Sequence, residues 1–316
     1  MSSVIHEEIA RADLSISYIN LLASLNGQIL LRHGNPEIVA PWLQRLTRGE
    51  VLLALALTEP GAGSDAANVR LGVERDGSDY VVNGEKTSIS AADQADAVVV
   101  FGRTGTVEAG AHGVTALLIP TSLAGITRSR LDCHGQRAIG RGSLFFDSVR
   151  VPAAYRLGEE NKGFSQVMQG FDFSRALIGL QVLAVARAAL EETWAYVVER
   201  QAFGQPLSAF QGVSHPLAEF DTQITAARLL SLQALWLKDK GQPHSAEAAM
   251  CKWWAPKLAY DVIHQCLLLH GHAGYDRGLM EQRLRDVLGF QIADGTAQIM
   301  KTVIARTRAG RNAVPA

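Results

Sequence analysis

Cysteine is scarce in this chain of 316 residues: Cys133, Cys251 and Cys266 are odd in number and scattered, with no Cys-x-x-Cys pair and no histidine at zinc spacing. That pattern excludes a disulfide framework and a zinc site, and it points to reduced thiols in a cytoplasmic protein. Neither sign of charge dominates, since 30 Lys and Arg stand against 31 Asp and Glu for a formal charge of -1. Nothing in that balance recruits nucleic acid or an anionic membrane. Residues Met1 to Asp13 lack a basic start followed by an apolar stretch, so no secretory signal is expected. No uninterrupted apolar run reaches bilayer length, Val51 to Leu57 being only strand-sized, and no membrane insertion is expected. Internal repeats and low-complexity tails are missing too. What is present is globular composition, 47% hydrophobic and 19% charged, enough for two or three packed layers.

Residues 1–50 read as helices, with apolar side chains at helical spacing in Ile5, Ile9, Ala12, Ile16 and Ile19 and again from Leu22 to Leu31. Asn35-Pro36 starts a further helix carrying Ile38, Trp42 and Leu46 on one face. The pattern changes at Val51. From 51 to 155, short apolar blocks such as Tyr80 to Val82, Ala97 to Phe101, Thr115 to Ile119 and Leu144 to Phe146 alternate with turn signals. They predict a compact antiparallel barrel or sandwich. From 156 to 316 the helical period returns, with long stretches over Gly163 to Glu199, Gln211 to Asp239, Ala246 to Leu269 and Gln282 to Arg308. Four such helices predict a bundle, with Leu180, Leu183 and Ala184 and the stripe Leu229, Leu232 and Leu235 in its core. The fold class is α+β: a partial N-terminal helical domain, a central β domain and a C-terminal four-helix bundle.

Two short runs carry the chemistry. Thr58-Glu59-Pro60-Gly61-Ala62-Gly63-Ser64-Asp65 and Asp294-Gly295-Thr296-Ala297-Gln298-Ile299 each place polar atoms where small residues let a bulky ligand approach the backbone. Four further segments accompany them: Val82 to Thr87, Glu199 to Leu207 with Gln211, Gly271 to Tyr275, and Arg283 to Asp286. In this order, from about Ile5 to Arg308, the chain resembles the acyl-CoA dehydrogenase family with its front shortened. One such match is weak, and six in order are strong.

The resemblance implies FAD-dependent α,β-dehydrogenation of an acyl-CoA thioester, in which a carboxylate removes the α-proton and the β-hydride passes to flavin N5. It assigns the base to Asp294, where the family usually has glutamate. Leu55, Leu57, Thr58, Ser64, Ile89 and Ser90 match positions around the isoalloxazine. Arg200, Phe203 and Gln211 match positions that reach a neighbouring subunit's flavin, which implies a homodimer or homotetramer. Thr296 and Gln298 match dinucleotide contacts at a helix start. Ser64, Phe171, Asp172, Arg175 and Gly295 match substrate contacts, and an electron-transferring flavoprotein is the implied electron acceptor. Ser88, Leu268 and His272 depart from the usual flavin-side residues. The short acid and Ala293, where the family often has tyrosine, make an alicyclic cyclohexanecarboxyl-type thioester the preferred substrate class. The apolar neighbours Phe290, Ile292 and Ala293 further suggest a partly buried carboxylate, a setting suited to a general base.

Other readings stand beside these. Asp294 also suits a helix N-cap, Arg175 and Arg200 suit solvated helix-end cations, and Ser64 suits a turn hydroxyl. His270 and His272 lack partner ligands for a metal. A nitroalkane-oxidase-like flavin oxidase, which also uses aspartate, and a catalytically silent subunit of a hetero-oligomeric dehydrogenase are the alternative functions.

Overall fold

The computed structural model describes residues 2–310 and 313–314. Helices α1 (Ser2–Ala12), α2 (Leu14–His33) and α3 (Pro36–Thr47) come first. Strands β1 (Leu53–Ala56), β2 (Gly72–Asp76), β3 (Asp79–Ile89), β4 (Ala97–Arg103), β5 (Val114–Pro120), β6 (Ile126–Arg130), β7 (Gly142–Pro152) and β8 (Arg156–Leu157) follow. Then come α4 (Gly163–Glu199), the short hairpin strands β9 (Gln201–Ala202) and β10 (Gln205–Pro206), α5 (Gln211–Asp239), α6 (Ser245–Leu269), α7 (His272–Tyr275), α8 (Leu279–Leu288) and α9 (Ala297–Ala309). These form two compact units. One holds Ile19–Cys133 and Arg137–Phe171; the other holds the described residues up to Tyr18, His134–Gln136 and those from Asp172 onward.

The first unit is built on one eight-stranded sheet in the order β6-β7-β3-β2-β4-β5-β8, with β1 also against β4. The pairing is antiparallel except where β1 and β2 run parallel to β4, which corrects the purely antiparallel expectation. Every residue of β4 is buried, because β1, β4 and β5 are covered on both faces. Val98, Val100, Leu117 and Ile119 pack with Val73, Val82, Leu144 and Phe146 on one side. Ala97, Val99, Phe101 and Leu118 pack with Leu25, Ile29, Val39 and Leu46 of α2 and α3 on the other. A strand buried twice reads as a continuous apolar run, as Ala97 to Phe101 does. Helix α3 begins as its sequence dictates, with the Asn35 side chain accepting from the Glu37 amide at 3.0 Å and Pro36 at the first helical position. Asn35→Ala is expected to cost about 1 kcal/mol, seen as a lower urea midpoint at unchanged m-value.

The second unit is helical. Helix α4 is apolar around its circumference and 94% of its most apolar stretch is buried within the protein. By length and mean composition alone both α4 and α2 could cross a bilayer, although polar residues interrupt both runs. Gly179 on α4 marks a close helix approach: a Cβ there would sit 2.7 Å from the Ser231 hydroxyl oxygen and 3.3 Å from Cys251. Small residues therefore take the inner face of α5, where Ala227, Ser231 and Ala234 are buried while Leu229 is 60% exposed. Of the expected leucine stripe on α5, Leu235 packs against the buried Ala176, Ala234 and Cys251, Leu232 is half-buried and Leu229 faces out. The N-terminal stripe is corrected likewise: α1 buries His6, Glu7 and Ala10, and Ile5 and Ile16 face out.

Candidate functional site

In the sheet-bearing unit, β1 runs into Leu57 and Thr58 and then into a turn closed by reciprocal Glu59 and Ala62 backbone hydrogen bonds of 3.1 Å. The turn is anchored from within. The buried Glu59 carboxylate accepts the amides of Arg70 at 2.7 Å and Leu71 at 2.9 Å, and the Lys86 ammonium at 2.7 Å. Lys86 Nζ also donates to the Leu57 carbonyl at 2.8 Å. Burial pushes Lys86 down to about 8, against the raising pull of Glu59. The Thr87 amide donates to the Thr58 carbonyl at 3.0 Å, so Leu57 and Thr58 are tied to the strand that ends in Ile89 and Ser90. Ile89 and Ser90 are buried and bracketed by Ser88 and Ala91 in left-handed conformations, which turn the chain out of β3. Leu55 is half-buried on β1, and Ser64 lies exposed on the turn. A Cβ at Gly61 or Gly63 meets nothing within 4 Å, so space over this turn is open. Phe171 belongs to the apolar cluster with Leu25 and Ile29. The anchoring roles of Glu59 and Lys86 were missed in the sequence, although a lysine on the inward face shared by Tyr80 and Val82 was a readable signal.

In the helical unit, the expected fourth long helix is broken. Helix α8 ends at Leu288, a single 3-10 turn follows over Gly289–Gln291, and α9 starts after Thr296. The cause is backbone geometry, since Asp294 has φ 55° and Gly295 φ 102°, both incompatible with a continuing right-handed helix. Thr296 is the N-cap of α9, its hydroxyl oxygen accepting from the Ile299 amide at 3.4 Å, so the cap role considered for Asp294 falls to its neighbour. Gln298 is exposed in the first turn of α9.

The break gathers polar groups from two helices, α4 and α6. Ser174 on α4 donates to Asp294 Oδ2 at 3.0 Å, and Arg175 Nε donates to the Asp294 carbonyl at 3.2 Å. Arg175 Nη1 also donates to Asp172 Oδ1 at 3.1 Å, while the Ser245 hydroxyl donates to the other Asp172 oxygen. Arg175 is only 6% exposed, which removes the solvated-cation reading for it. Lys252 on α6 donates to the carbonyls of Phe290 and, at 3.1 Å, Gly295. Burial lowers Lys252 to about 8; the Asp294 carboxylate opposes the shift and Arg175 adds to it. Among the described residues the Asp294 amide donates to no carbonyl, leaving it available to a ligand oxygen. The apolar cover expected for Asp294 is only partial, because Phe290 is buried but Ile292 is 69% exposed. Ser174 and Lys252 were missed as site residues; a lysine between buried Ala248, Cys251 and Ala255 on α6 was the available sign.

Arg200, Phe203 and Gln211 form a separate group at the hairpin joining α4 to α5. Arg200 and Gln211 are exposed, and Phe203, with φ 52°, is 96% exposed at the tip with its ring edge-on to Phe210. Leu268 and His272 are exposed near the end of α6, His272 within 3.5 Å of Asp276.

Comparison with known proteins supplies the context. The family model described as "Acyl-CoA dehydrogenase, middle domain" matches residues 54–149, and the one described as "Acyl-CoA dehydrogenase, C-terminal domain" matches residues 161–308. The chain is 37% identical over 304 residues to the "Probable acyl-CoA dehydrogenase YngJ" of Bacillus subtilis (strain 168), a match covering 95% of this chain and 80% of that protein. It is 35% identical over 302 residues to the cyclohexane-1-carbonyl-CoA dehydrogenase of Geobacter metallireducens, covering 95% and 79%. Among solved structures, a glutaryl-CoA dehydrogenase from Mycobacterium smegmatis in complex with FADH2 superposes with a TM-score of 0.91 at 27% identity, covering 98% of this chain and 79% of that one.

Proposed function

The chain belongs to the acyl-CoA dehydrogenase family, and from that premise we propose that it is an FAD-dependent dehydrogenase of an acyl-CoA thioester with Asp294 as the base. The observation that carries the reading is the Asp294 carboxylate, held at 3.0 Å by Ser174 in the break before α9, with its own amide donating to no backbone carbonyl among the described residues. A base at this position removes the α-proton while that amide stabilises the charge gathering on the thioester oxygen. Buried Arg175 and its half-buried partner Asp172 steady the same segment.

The residues fit a flavin dinucleotide. Leu55, Leu57 and Ile89 are the proposed apolar contacts and Thr58, Ser64 and Ser90 the proposed hydroxyl contacts, beside a turn where a Cβ on Gly61 or Gly63 meets nothing within 4 Å. Thr296 and Gln298, in the helical unit, are proposed as dinucleotide contacts on the family resemblance alone; the start of a helix suits an anion. When bound, FAD supplies the acceptor for the β-hydride. Arg200, Phe203 and Gln211, exposed as a group, are the residues offered to a second copy's cofactor in a homodimer or homotetramer, and an electron-transferring flavoprotein is the proposed acceptor of the electrons. The proposed division places a helical segment at 1–50, the β domain at 51–155 and the bundle at 156–316, in a cytoplasmic enzyme.

For the substrate, an alicyclic acyl-CoA is favoured. Aspartate is one methylene shorter than glutamate, and the small Ala293 beside it leaves room for a bulky α-carbon to descend to the acid. The likeness to the Geobacter metallireducens protein points the same way. The test is the visible spectrum of the purified protein before and after anaerobic addition of cyclohexanecarboxyl-CoA and of butyryl-CoA. Flavin bands that bleach with the cyclic thioester and only weakly with the straight one are expected. Preferential bleaching with butyryl-CoA overturns the alicyclic assignment. Oxygen consumption with nitroethane and none with thioesters favours the oxidase, and a colourless protein that FAD does not reconstitute favours the silent subunit.

A further inference from the structure

Lys252 is 1% exposed on a helix face otherwise made of Ala248, Ala249, Cys251, Ala255 and Ala259. An ammonium in such a place is costly unless its donors are filled. Two of its three donors go to the carbonyls of Phe290 and Gly295, one on each side of Asp294 in sequence. The carbonyl of Asp294 itself is taken by Arg175. These oxygens sit in a helix break, where the usual amide four residues on is missing, so they need donors from elsewhere. Asp294 also holds a left-handed conformation, φ 55°, which aspartate tolerates better than most residues and which the surrounding donors are placed to secure.

We infer that Lys252 is a positioning residue for the reaction: by gathering the Phe290 and Gly295 carbonyls onto one ammonium, it fixes the bend that aims the Asp294 carboxylate. This rests on the reading of Asp294 as the base. The charged groups facing Lys252 divide the work. Arg175, turned towards Asp172, holds the Asp294 carbonyl from α4, and Lys252 holds the Phe290 and Gly295 carbonyls from α6. Ser174 then needs to fix only the carboxylate rotamer. A misplacement of about 1 Å at a reacting group costs roughly 100-fold in rate.

The experiment uses the FAD-loaded enzyme and the variants Lys252→Met, which keeps the stem and removes the donors, and Lys252→Arg, which keeps the charge. Anaerobic stopped-flow reduction with cyclohexanecarboxyl-CoA, or with butyryl-CoA if that is the thioester that bleaches the wild type, gives the limiting rate and the half-saturating concentration. Lys252→Met is expected to lower the limiting rate by about 100-fold while moving half-saturation by less than about threefold, the split of a group that acts only on the reacting geometry. Lys252→Arg is expected to recover at least about tenfold of that loss, because a charged donor is restored. Amide hydrogen exchange of the segment 289–296, read by mass spectrometry, is expected to quicken in Lys252→Met and to return towards wild type in Lys252→Arg. A lower melting temperature with both kinetic constants unchanged overturns the assignment and leaves Lys252 a structural residue. If Lys252→Met does not accumulate, Lys252→Gln, whose stem is two methylenes shorter and withdraws its donors from the two carbonyls, takes its place, and a wild-type limiting rate from it overturns the assignment. Full activity in Asp294→Asn would instead remove the reading beneath it, so the two failures are told apart.

Discussion

Asp294→Asn is expected to slow thioester-dependent bleaching of the flavin by roughly 10²- to 10⁴-fold, the span that a positioned general base contributes. The substitution suits this site because asparagine tolerates the left-handed backbone that Asp294 adopts at φ 55°. It also keeps an oxygen that accepts the Ser174 hydroxyl, so the local geometry survives while the proton acceptor is lost. Asp294→Ala loses that hydrogen bond as well and adds backbone strain, which makes it the poorer test. Thioester binding, read as the perturbation of the flavin spectrum by a non-reactive thioether analogue, is expected to persist in Asp294→Asn. Solvent deuterium should cease to enter the substrate α-position. Unimpaired bleaching would transfer the base role to another residue. Asp294→Glu probes the acid's length in the same assay: restoring the methylene is expected to raise the butyryl-CoA rate relative to cyclohexanecarboxyl-CoA, and an unchanged ratio would separate acid length from substrate choice.

The parts of this site that the sequence reveals are those with a local cause. Pro60, Gly61 and Gly63 forecast the turn, and Asn35-Pro36 forecast the start of α3, because capping and turn chemistry act between near neighbours. Strands β3, β4, β5 and β7 were legible because each has an inward face or a run buried on both sides. The parallel joints of β1 and β2 with β4 were not, since partner choice across a crossover leaves no local trace. Asp294-Gly295 was recognised as a motif, yet helical periodicity read straight through it, because apolar residues on both sides keep the same spacing across the break. The least legible contributors are Lys86 and Lys252. Both donate to backbone carbonyls, which any sequence possesses, so no partner residue advertises the contact. Only their placement on otherwise inward faces marks them. On α5 the difficulty is reversed: leucines drew the eye, whereas close approach at Gly179 selected alanine and serine for the interior.

Glu59→Ala is expected to destabilise the sheet-bearing unit by about 3–5 kcal/mol, the cost of leaving a buried charge without its partner. Its carboxylate is shared by Lys86 and by two backbone amides, and Lys86 is fully enclosed with only the Leu57 carbonyl left to it once Glu59 is gone. Lys86→Met is the milder change, about 1–3 kcal/mol, because Glu59 keeps its two amide donors. The dependence on pH identifies the source of the loss. Lys86 titrates near 8 in the folded protein and near 10.4 in an unfolded chain, so between these values the unfolded state binds more protons. The contribution of Lys86 to stability therefore rises with pH across that window and is lost as pH falls through about 8. Without Glu59, which holds Lys86 up, the folded protein sheds that proton at a lower pH and starts to recover sooner. Urea unfolding should accordingly show the gap between wild type and Glu59→Ala widest near pH 6.5 and narrower near pH 9. A gap that does not change with pH would assign the whole effect to the amides of Arg70 and Leu71. Because Lys86 and Thr87 hold Leu57 and Thr58 to the strand that ends in Ile89 and Ser90, the same variant is expected to lose FAD on gel filtration at temperatures where it is still folded. A variant that keeps its flavin until it unfolds would separate the buried ion pair from the proposed cofactor site.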